Sequence, residues 1–436
     1  MNVTIARANA IGILQAGIQA VQPGHLIPRY INRSGDQVHI NGVLAQGNIY
    51  VIGAGKAAAA MAQATEQVLG DKITAGVVTT KYGHSLPTAI IRIVEAAHPI
   101  PDENGLQGVK ALIGLLTNVT AEDTVLCLLS GGASALWPDL PSVTTLTELQ
   151  ALSDQLIRSG ASIAEINTVR KHLSSIKGGQ LAKLCHGAQV HALIISDVPG
   201  DDLSVIASGP TVADASTYND AIAILERYEL WQGIPVSLQK HLEDGSKGIN
   251  PETPKPGDPT FDKVHNTIIA SNNIALAAAV KKAEALGYYT IVHPFETGDA
   301  ELAAEKLLQA ALEYDGPLPA YILQGGETTV KVTGNGLGGR NQHFVLTALK
   351  KMQEAGPRDV VFTALSAGTD GTDGPTDAAG AIGDWYTLQR AGQAGLDIAC
   401  YLQTHDAYHF FQKTDSLLIT GPTQTNVMDL MMVQIS

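Results

Sequence analysis

Gln324–His343 reads QGGETTVKVTGNGLGGRNQH and is the stretch best equipped to handle a charged ligand. The pair Gly325-Gly326 is followed by one acid, Glu327, and by a short β-like run, Thr328–Val332. Four more glycines, Gly334, Gly336, Gly338 and Gly339, deliver Arg340, Asn341 and Gln342 to an apolar run with helical spacing, Phe344–Leu349. Glycine lets a backbone take positive φ and approach a ligand closely. Successive N–H groups at a helix N-terminus attract anions. A guanidinium at that point can donate two parallel hydrogen bonds to a phosphate. With Glu327 and Arg340 bracketing the glycines, the stretch predicts a phosphate clamp rather than a plain turn.

Three other loops have the same character. Gly53-Ala54-Gly55-Lys56 follows the apolar strand Asn48–Ile52 and opens an Ala-rich helix, Ala57–Val68. Strand, glycine turn and helix make the phosphate-binding unit of α/β folds. Gly53, Gly55 and Ala58 also fit the dinucleotide fingerprint, with Asp71 spaced for a ribose contact. Lys56 is not a Walker A lysine, because the GxxxxGK[ST] spacing is missing. Ser130-Gly131-Gly132-Ala133-Ser134 ends the strand Thr124–Leu129, and ligands of open α/β sheets bind at such strand ends. Ser196–Asp202 ends the strand Val190–Ile195. A carboxylate there suits Mg²⁺, a hard cation that takes one or two carboxylates plus phosphate oxygens, and Asp197, first off the strand, is the expected ligand.

Ile163–Cys185 reads as helix. There Asn167, Lys171 and Ser174 share one face and Arg170 and Lys177 repeat at i, i+7, a polar and basic surface that could hold an anion. Asp370, Asp373 and Asp377 lie among glycines in Ser366–Ile382. The EF-hand spacing is absent, so this segment is expected to be a loop facing the same site.

The elements that must carry these loops alternate. Ala75–Thr80, Ile90–Val94 and Thr124–Leu129 read as buried strands, with helical stretches such as Gly105–Leu116 between them. Alternation of this kind predicts an α/β fold with a mostly parallel sheet covered on both faces. Gly245–Asp262 carries Pro251, Pro254, Pro256 and Pro259 and reads as a linker. The expected division is therefore 1–245, a linker at 246–262, and a second, smaller unit at 263–436. The last apolar run, Met428–Ile435, suits a final strand of either unit.

Composition narrows the function classes. A chain of 436 residues, 45% hydrophobic and 16% charged, can bury two cores. A net charge of -14 argues against nucleic acid and anionic membranes as partners, but not against a small anionic substrate in a local basic pocket. Cys127, Cys185 and Cys400 are scattered without CxxC, which fits a reducing cytoplasm. Met1–Val21 has helical apolar spacing without a signal-type cleavage region, and no apolar run reaches the ~18 residues of a membrane span.

Taken together, GAGKAAAAMA (Gly53–Ala62), LLSGGASAL (Leu128–Leu136), INTVRKHLSSIKGGQLA (Ile166–Ala182), ISDVPGDDLSVIASGPT (Ile195–Thr211), GGETTV…GGRNQ (Gly325–Gln342), SAGTDGTDGPTDAAGA (Ser366–Ala381) and TGPTQTNVMDL (Thr420–Leu430) resemble the class II glycerate kinases. The C-terminal part of that family is the MOFRL domain, and its members are also often labelled hydroxypyruvate reductase. The resemblance spans nearly the whole chain. Gln424, where glycine is common, is a minor departure. The resemblance implies a Rossmann-like N-terminal domain, a smaller MOFRL-type α/β domain and an active site between them. It also implies phosphorylation of D-glycerate with ATP and Mg²⁺, usually to 2-phosphoglycerate, and it puts the catalytic lysine and arginine on Lys56 and Arg340.

The expected nucleotide-contacting residues are Gly53, Gly55, Ser130, Gly131, Gly132, Ser134, Lys171, Gly325, Gly326, Glu327, Gly338 and Asn341, with Asp197 on the metal. The expected partners are glycerate and nucleotide, and a homodimer is one assembly the sequence allows. The rival expectation is an NAD(P)H-dependent hydroxypyruvate reductase, carried by the Gly53-Ala54-Gly55 turn.

Overall fold

Thr124–Leu129 is TVLCLL, apolar after its first residue, and all six residues are buried. A run with no polar alternation has no water-facing side and belongs inside a sheet covered on both faces. The structure, a computed structural model, describes residues 3–139, 144–356 and 358–436. It places this run at the centre of a six-stranded sheet built from β1 (Ile49–Ala54), β2 (Ile73–Lys81), β3 (Ile91–Ala96), β4 (Thr124–Leu129), β5 (Gln189–Ile195) and β6 (Val264–Ala270). The order is β3-β2-β1-β4-β5-β6. The pairs β1–β2, β2–β3, β1–β4 and β4–β5 are all parallel. The chain winds outward from β1, returns to β4 and winds the other way. The loops leaving β1 and β4 are therefore neighbours at the point of reversal, where doubly wound sheets bind ligands.

Helices α1 (Ala58–Leu69) and α2 (Glu103–Leu116) cross between these strands. Asp102 starts α2 by accepting the Gly105 N–H at 3.1 Å, an N-cap of the usual kind. Val109, Leu112 and Leu116 of α2 are buried in one core with Val77, Val125 and Cys127 of the sheet, each worth roughly 1.5–3 kcal/mol when fully buried. The short helix α3 (Ala133–Leu136), then α4 (Leu146–Arg158) and α5 (Ile163–His172) follow β4. Leu152 and Leu156 of α4, and Val169 of α5, share a separate core with Leu225 and Leu242.

The second sheet contains β7 (Tyr289–Asp299), β8 (Ala320–Thr329), β9 (Phe362–Gly368), β10 (Gly380–Asp384), β11 (Leu417–Leu418) and β12 (Asp429–Ile435), in the order β7-β8-β12-β9-β10-β11. Among the described residues of this sheet only β7 and β8 pair in parallel, while β12 runs antiparallel to both β8 and β9. Helix α6 (Arg340–Ala355) sets Phe344, Val345 and Leu349 in one core with Ile322 and Val433.

Several expectations differ from these observations. The compact units are Pro23–Ile269 and Met1–Gln22 with Ala270–Ser436, so the expected linker at 246–262 lies inside the first unit. That segment is tied back to its own unit: Asp214 donates its N–H to the Pro254 carbonyl at 2.9 Å and accepts from Thr253 Oγ1 at 3.1 Å. Val264–Ala270, expected to begin the second unit, takes the edge beside β5, with only Ile269 and Ala270 buried.

The N-terminal helix Val3–Ala20 belongs to the second unit, where Arg7 holds Asp384 at 2.7 and 3.1 Å. The final strand does not return to the first sheet but fills the middle of the second. The helix expected across Ile163–Cys185 stops at His172 and resumes at Gln180–Leu184, because Gly178 and Gly179 take φ of 59° and 80°. Among the described residues no helix is long and apolar enough to cross a membrane.

Candidate active site

Each of three adjacent parallel strands delivers one of the expected loops at its carboxyl end. β1 ends in Gly53–Lys56, β4 in Ser130–Ser134 and β5 in Ser196–Asp202. The first two are stitched together. Lys56 donates its N–H to the Gly131 carbonyl at 2.9 Å, Ala57 donates to Ser130 Oγ at 3.0 Å, and Ser130 donates to the Ala54 carbonyl at 3.0 Å. These bonds correct the cradle reading of the first loop, because the N–H groups that a phosphate would need there are already satisfied.

Its glycines have a different cause. A Cβ on Gly53 would lie 2.4 Å from the Leu128 carbonyl oxygen, so Gly53 permits β1 and β4 to approach. Gly55, at φ 134°, abuts Ser130 in the same way. The first loop also carries the half-buried side chain of Lys56. The second loop keeps more: no partner for the N–H groups of Gly131 and Gly132 is found among the described residues. Gly132 takes the left-handed conformation at φ 85°, and a Cβ there would meet the His98 ring at 2.9 Å and Lys56 Cγ at 3.6 Å. Ser134 Oγ shares a hydrogen bond with Ser208 Oγ at 3.0 Å, and Ser208 donates to Asn167 Oδ1.

Asp197 is the second residue after β5 and is half-buried. Among the described residues no group of three His, Cys, Asp or Glu side chains is arranged to hold a metal. A metal at Asp197 would thus be one that completes its shell from phosphate oxygens and water, which is the habit of Mg²⁺.

The basic face is the clearest correction. Lys171 is buried and its ammonium reaches Asp214 at 3.3 Å, a carboxylate also held by Ser216 and Thr253. Burial opposes that carboxylate's charge, but Lys171 and the Ser216 bonds hold Asp214 below the ordinary carboxylate range. Lys177 lies beyond the helix end and donates to the Trp137 carbonyl at 2.6 Å and Asp139 Oδ1 at 3.0 Å. Ser174 also donates to Asp139. A lysine already neutralised inside the fold has little charge to give an anion. Arg170 alone among these cations has no hydrogen bond or ion pair among the described residues.

Around Arg340 the glycines are again explained by packing. None of Gly325, Gly326, Gly334, Gly336, Gly338 or Gly339 has positive φ. The loop before α6 lies against residues 404–408, with Leu337 donating to Asp406 at 2.9 Å and accepting from the Tyr408 N–H at 2.9 Å. A Cβ on Gly325 or Gly326 would collide with Asn272 or Met431, and one on Gly338 would touch Ala407. Gly339 packs on Asp373, where a Cβ would come within 2.3 Å of the carboxyl carbon.

That contact matters, because Asp373 accepts the N–H groups of Asn341 and Gln342 at 3.0 and 2.9 Å. The N-terminus of α6, expected to bind an external anion, already carries one from the protein itself. Burial pushes the Asp373 carboxyl up to about 6, against the pull of those two N–H bonds and of Arg340.

Arg340 donates Nε to Asp429 Oδ2 at 2.6 Å and Nη2 to Asp429 Oδ1 at 2.9 Å. Glu327 is farther off, with 3.9 Å between Nη2 and Oε1. Asp429 opens β12 and is fully buried, whereas the Arg340 side chain stays 34% exposed. Asn341 Nδ2 donates to Asp429 Oδ1 at 3.0 Å and Ser366 donates to Asn341 Oδ1 at 2.5 Å, so the carboxylate is held from two sides. Burial works against the charge on Arg340, but Asp429 outweighs it and holds the guanidinium above the ordinary arginine range. The pair is ionic. One edge of the guanidinium is spent on Asp429, which fixes its plane and leaves Nη1 for a ligand.

The known proteins that this chain is similar to decide the family. A family model described as a domain of unknown function, DUF4147, matches residues 9–243, and the MOFRL family model matches residues 320–429. The chain is 41% identical over 428 residues to glycerate 2-kinase of Pyrococcus horikoshii, an alignment covering 96% of this chain and 95% of that one. It is 42% identical to D-glycerate 2-kinase of Thermotoga maritima, covering 97% and 96%. The chain belongs to the glycerate kinase family. The crystal structure of glycerate kinase from Thermotoga maritima superposes with a TM-score of 0.87 at 38% identity, covering 99% of this chain and all of that one.

For a glycerate kinase, the residues missed by sequence reasoning are the carboxylates that hold the cations. In the sequence Asp429 lies inside the apolar run Met428–Ile435 and the motif TGPTQTNVMDL, and neither reading singles it out. A lone acid opening a run such as DLMMVQI is the available signal, since a buried carboxylate needs a cation or several donors. Gln424 sits at φ 63°, in the left-handed region that favours glycine.

Proposed function

We propose that this protein transfers the γ-phosphoryl group of ATP to D-glycerate, with Mg²⁺, and gives 2-phosphoglycerate. The observation that carries the reading is the placement of Lys56, the Ser130–Ser134 loop and Asp197 at the carboxyl ends of three neighbouring parallel strands, β1, β4 and β5. Phosphoryl transfer asks for little covalent chemistry from a protein. Cations, donors and a metal must meet the charge that spreads over the transferring group. In this reading Lys56 and Arg340 supply the two cations. The N–H groups of Gly131 and Gly132 bind phosphate oxygens, and Asp197 contributes the protein oxygen to Mg²⁺, which neutralises phosphate charge when bound. Asp429 holds the Arg340 guanidinium in one plane. Lys171 supports the fold of the site through Asp214 rather than touching the nucleotide. The reading places the enzyme in the cytoplasm, where its three cysteines remain thiols.

The rival reading, a hydroxypyruvate reductase, rests on the first glycine turn. There the N–H groups that would bind a dinucleotide pyrophosphate are bonded to Gly131 and Ser130. Asp71, expected on the ribose, precedes β2 and so lies at the amino edge of the sheet, paired with Arg33 at 2.6 Å. The test is ³¹P NMR of the protein with ATP, Mg²⁺ and D-glycerate. The expected result is ADP and a phosphomonoester on the 2-hydroxyl, both dependent on glycerate and metal. NADH oxidation with hydroxypyruvate and no ADP release would replace the kinase reading with the reductase.

A further inference from the structure

A cavity of about 510 Å³ opens in the first unit beside the β4 loop. Ser134, the last residue of that loop, lines it, as does Pro99, which follows His98 in the chain. Its walls are mostly apolar and include Ile100, Pro138, Leu149, Ile157 and Leu173. Ile100 and Ile157 are 66% and 61% exposed. Two large aliphatic side chains held in water on one concave surface are the kind of patch that marks a ligand site.

Three cations line this surface, and two of them, Arg158 and Lys177, are ion-paired with Asp154 and Asp139, which line it too. Arg170 of α5 lines the cavity and has no hydrogen bond or ion pair among the described residues, while Lys171 and Lys177 beside it are matched to Asp214 and Asp139. Burial holds Arg170 below the ordinary arginine range. A partly desolvated cation without a counter-charge is costly. A planar guanidinium recovers that cost on an aromatic face or on phosphate oxygens.

We propose that this cavity takes the base and ribose of the nucleoside triphosphate donor, with Arg170 as the cation that meets it. The inference rests on the reading that the donor is a nucleoside triphosphate. Glycerate, small and polar throughout, has no apolar surface to set against these walls, whereas a heteroaromatic base has two faces of it. The direction also fits. Ser134 lines the cavity, and two residues back Gly132 borders Lys56, so a ligand seated here would extend its phosphates along the β4 loop toward that lysine.

Isothermal titration of the full-length protein with MgATP tests the proposal, using wild type, Arg170→Ala and Ala151→Trp. Ala151 lines the cavity but is exposed on α4, so an indole there narrows the cavity without entering the core. Both variants are expected to weaken MgATP binding by about tenfold or more, close to 1.4 kcal/mol, with Tm and the KM for glycerate unchanged. Unchanged MgATP affinity in both folded variants would overturn the proposal. So would a raised glycerate KM with unchanged nucleotide affinity, which would give the cavity to the acceptor. Wild-type protein that neither binds MgATP nor releases ADP would instead refute the kinase reading itself.

Discussion

Replacing Asp429 by Asn tests whether the Arg340 guanidinium works as a held fork. The substitution keeps the shape but removes the charge and turns one acceptor into a donor. That new N–H₂ would face an arginine N–H across the 2.6 or 2.9 Å contact. Breaking a fully buried ion pair costs about 3–5 kcal/mol. Arg340 remains 34% exposed and can recover some hydration, so about 2–3 kcal/mol is expected here. For a unit of this size that corresponds to a Tm roughly 4–12 °C lower.

Activity should fall separately. An arginine acting on a phosphoryl transition state is worth about 10³–10⁵ in rate, and Asp429→Asn leaves the arginine present but unaimed. Its kcat should therefore drop about 10²-fold, near 2.7 kcal/mol, which is less than for Arg340→Ala. The assay is ADP release under saturating glycerate and MgATP, alongside thermal unfolding. Arg340→Ala strands a buried carboxylate, so adding Asp429→Asn to it should restore stability and no activity. A folded Asp429→Asn enzyme with kcat within about twofold of wild type would refute the argument that Asp429 positions the arginine.

Lys56→Ala should lower kcat by about 10³ or more with Tm nearly unchanged, and a variant with near-normal kcat would make Lys56 a surface charge. Gly53→Ala should behave in the opposite way. A methyl placed 2.4 Å from the Leu128 carbonyl forces β1 from β4, at about 1–3 kcal/mol or more, so Tm should fall by several degrees. An unchanged Tm with a raised ATP KM would restore the ligand explanation of that glycine. Asp373 gives a pH signature. Its folded-state carboxyl titrates at about 6, above the 3.8 of an unperturbed aspartate. The folded state thus holds the extra proton between those values, and the contribution of Asp373 to stability is full below pH 3.8 and lost as pH rises through 6. The Tm advantage of wild type over Asp373→Asn should shrink across that window and level off above it; an advantage that grows with pH would contradict the burial argument.

Much of the first sheet was legible because its information is local. Thr124–Leu129 has the length and composition of a buried strand, and its bounds follow from where the apolar run stops. The order of chemistry-bearing loops was legible for the same reason: glycine and serine after an apolar run mark a strand end, and Lys56 and Asp197 are fixed to those ends by sequence adjacency. The meaning of the glycines was not local. Gly53 answers to Leu128 and Gly339 to Asp373, residues that become neighbours only when the chain has folded.

Charge behaved in the same way. Lys171 and Arg170 are adjacent in the sequence, yet one meets Asp214 inside the fold and the other faces a cavity. The N-terminal helix announced its amphipathic period but not the unit it would join, since Arg7 finds Asp384 across 377 residues. Sequence determined which segments are strands and helices, which loops end them and which cations those loops carry, because backbone period and turn chemistry act over a few residues. Tertiary structure alone decided which of those cations is spent and which is left for a ligand, because Arg340 and its counter-charge Asp429 lie 89 positions apart and only the pairing of β8, β12 and β9 brings that carboxylate to the mouth of α6.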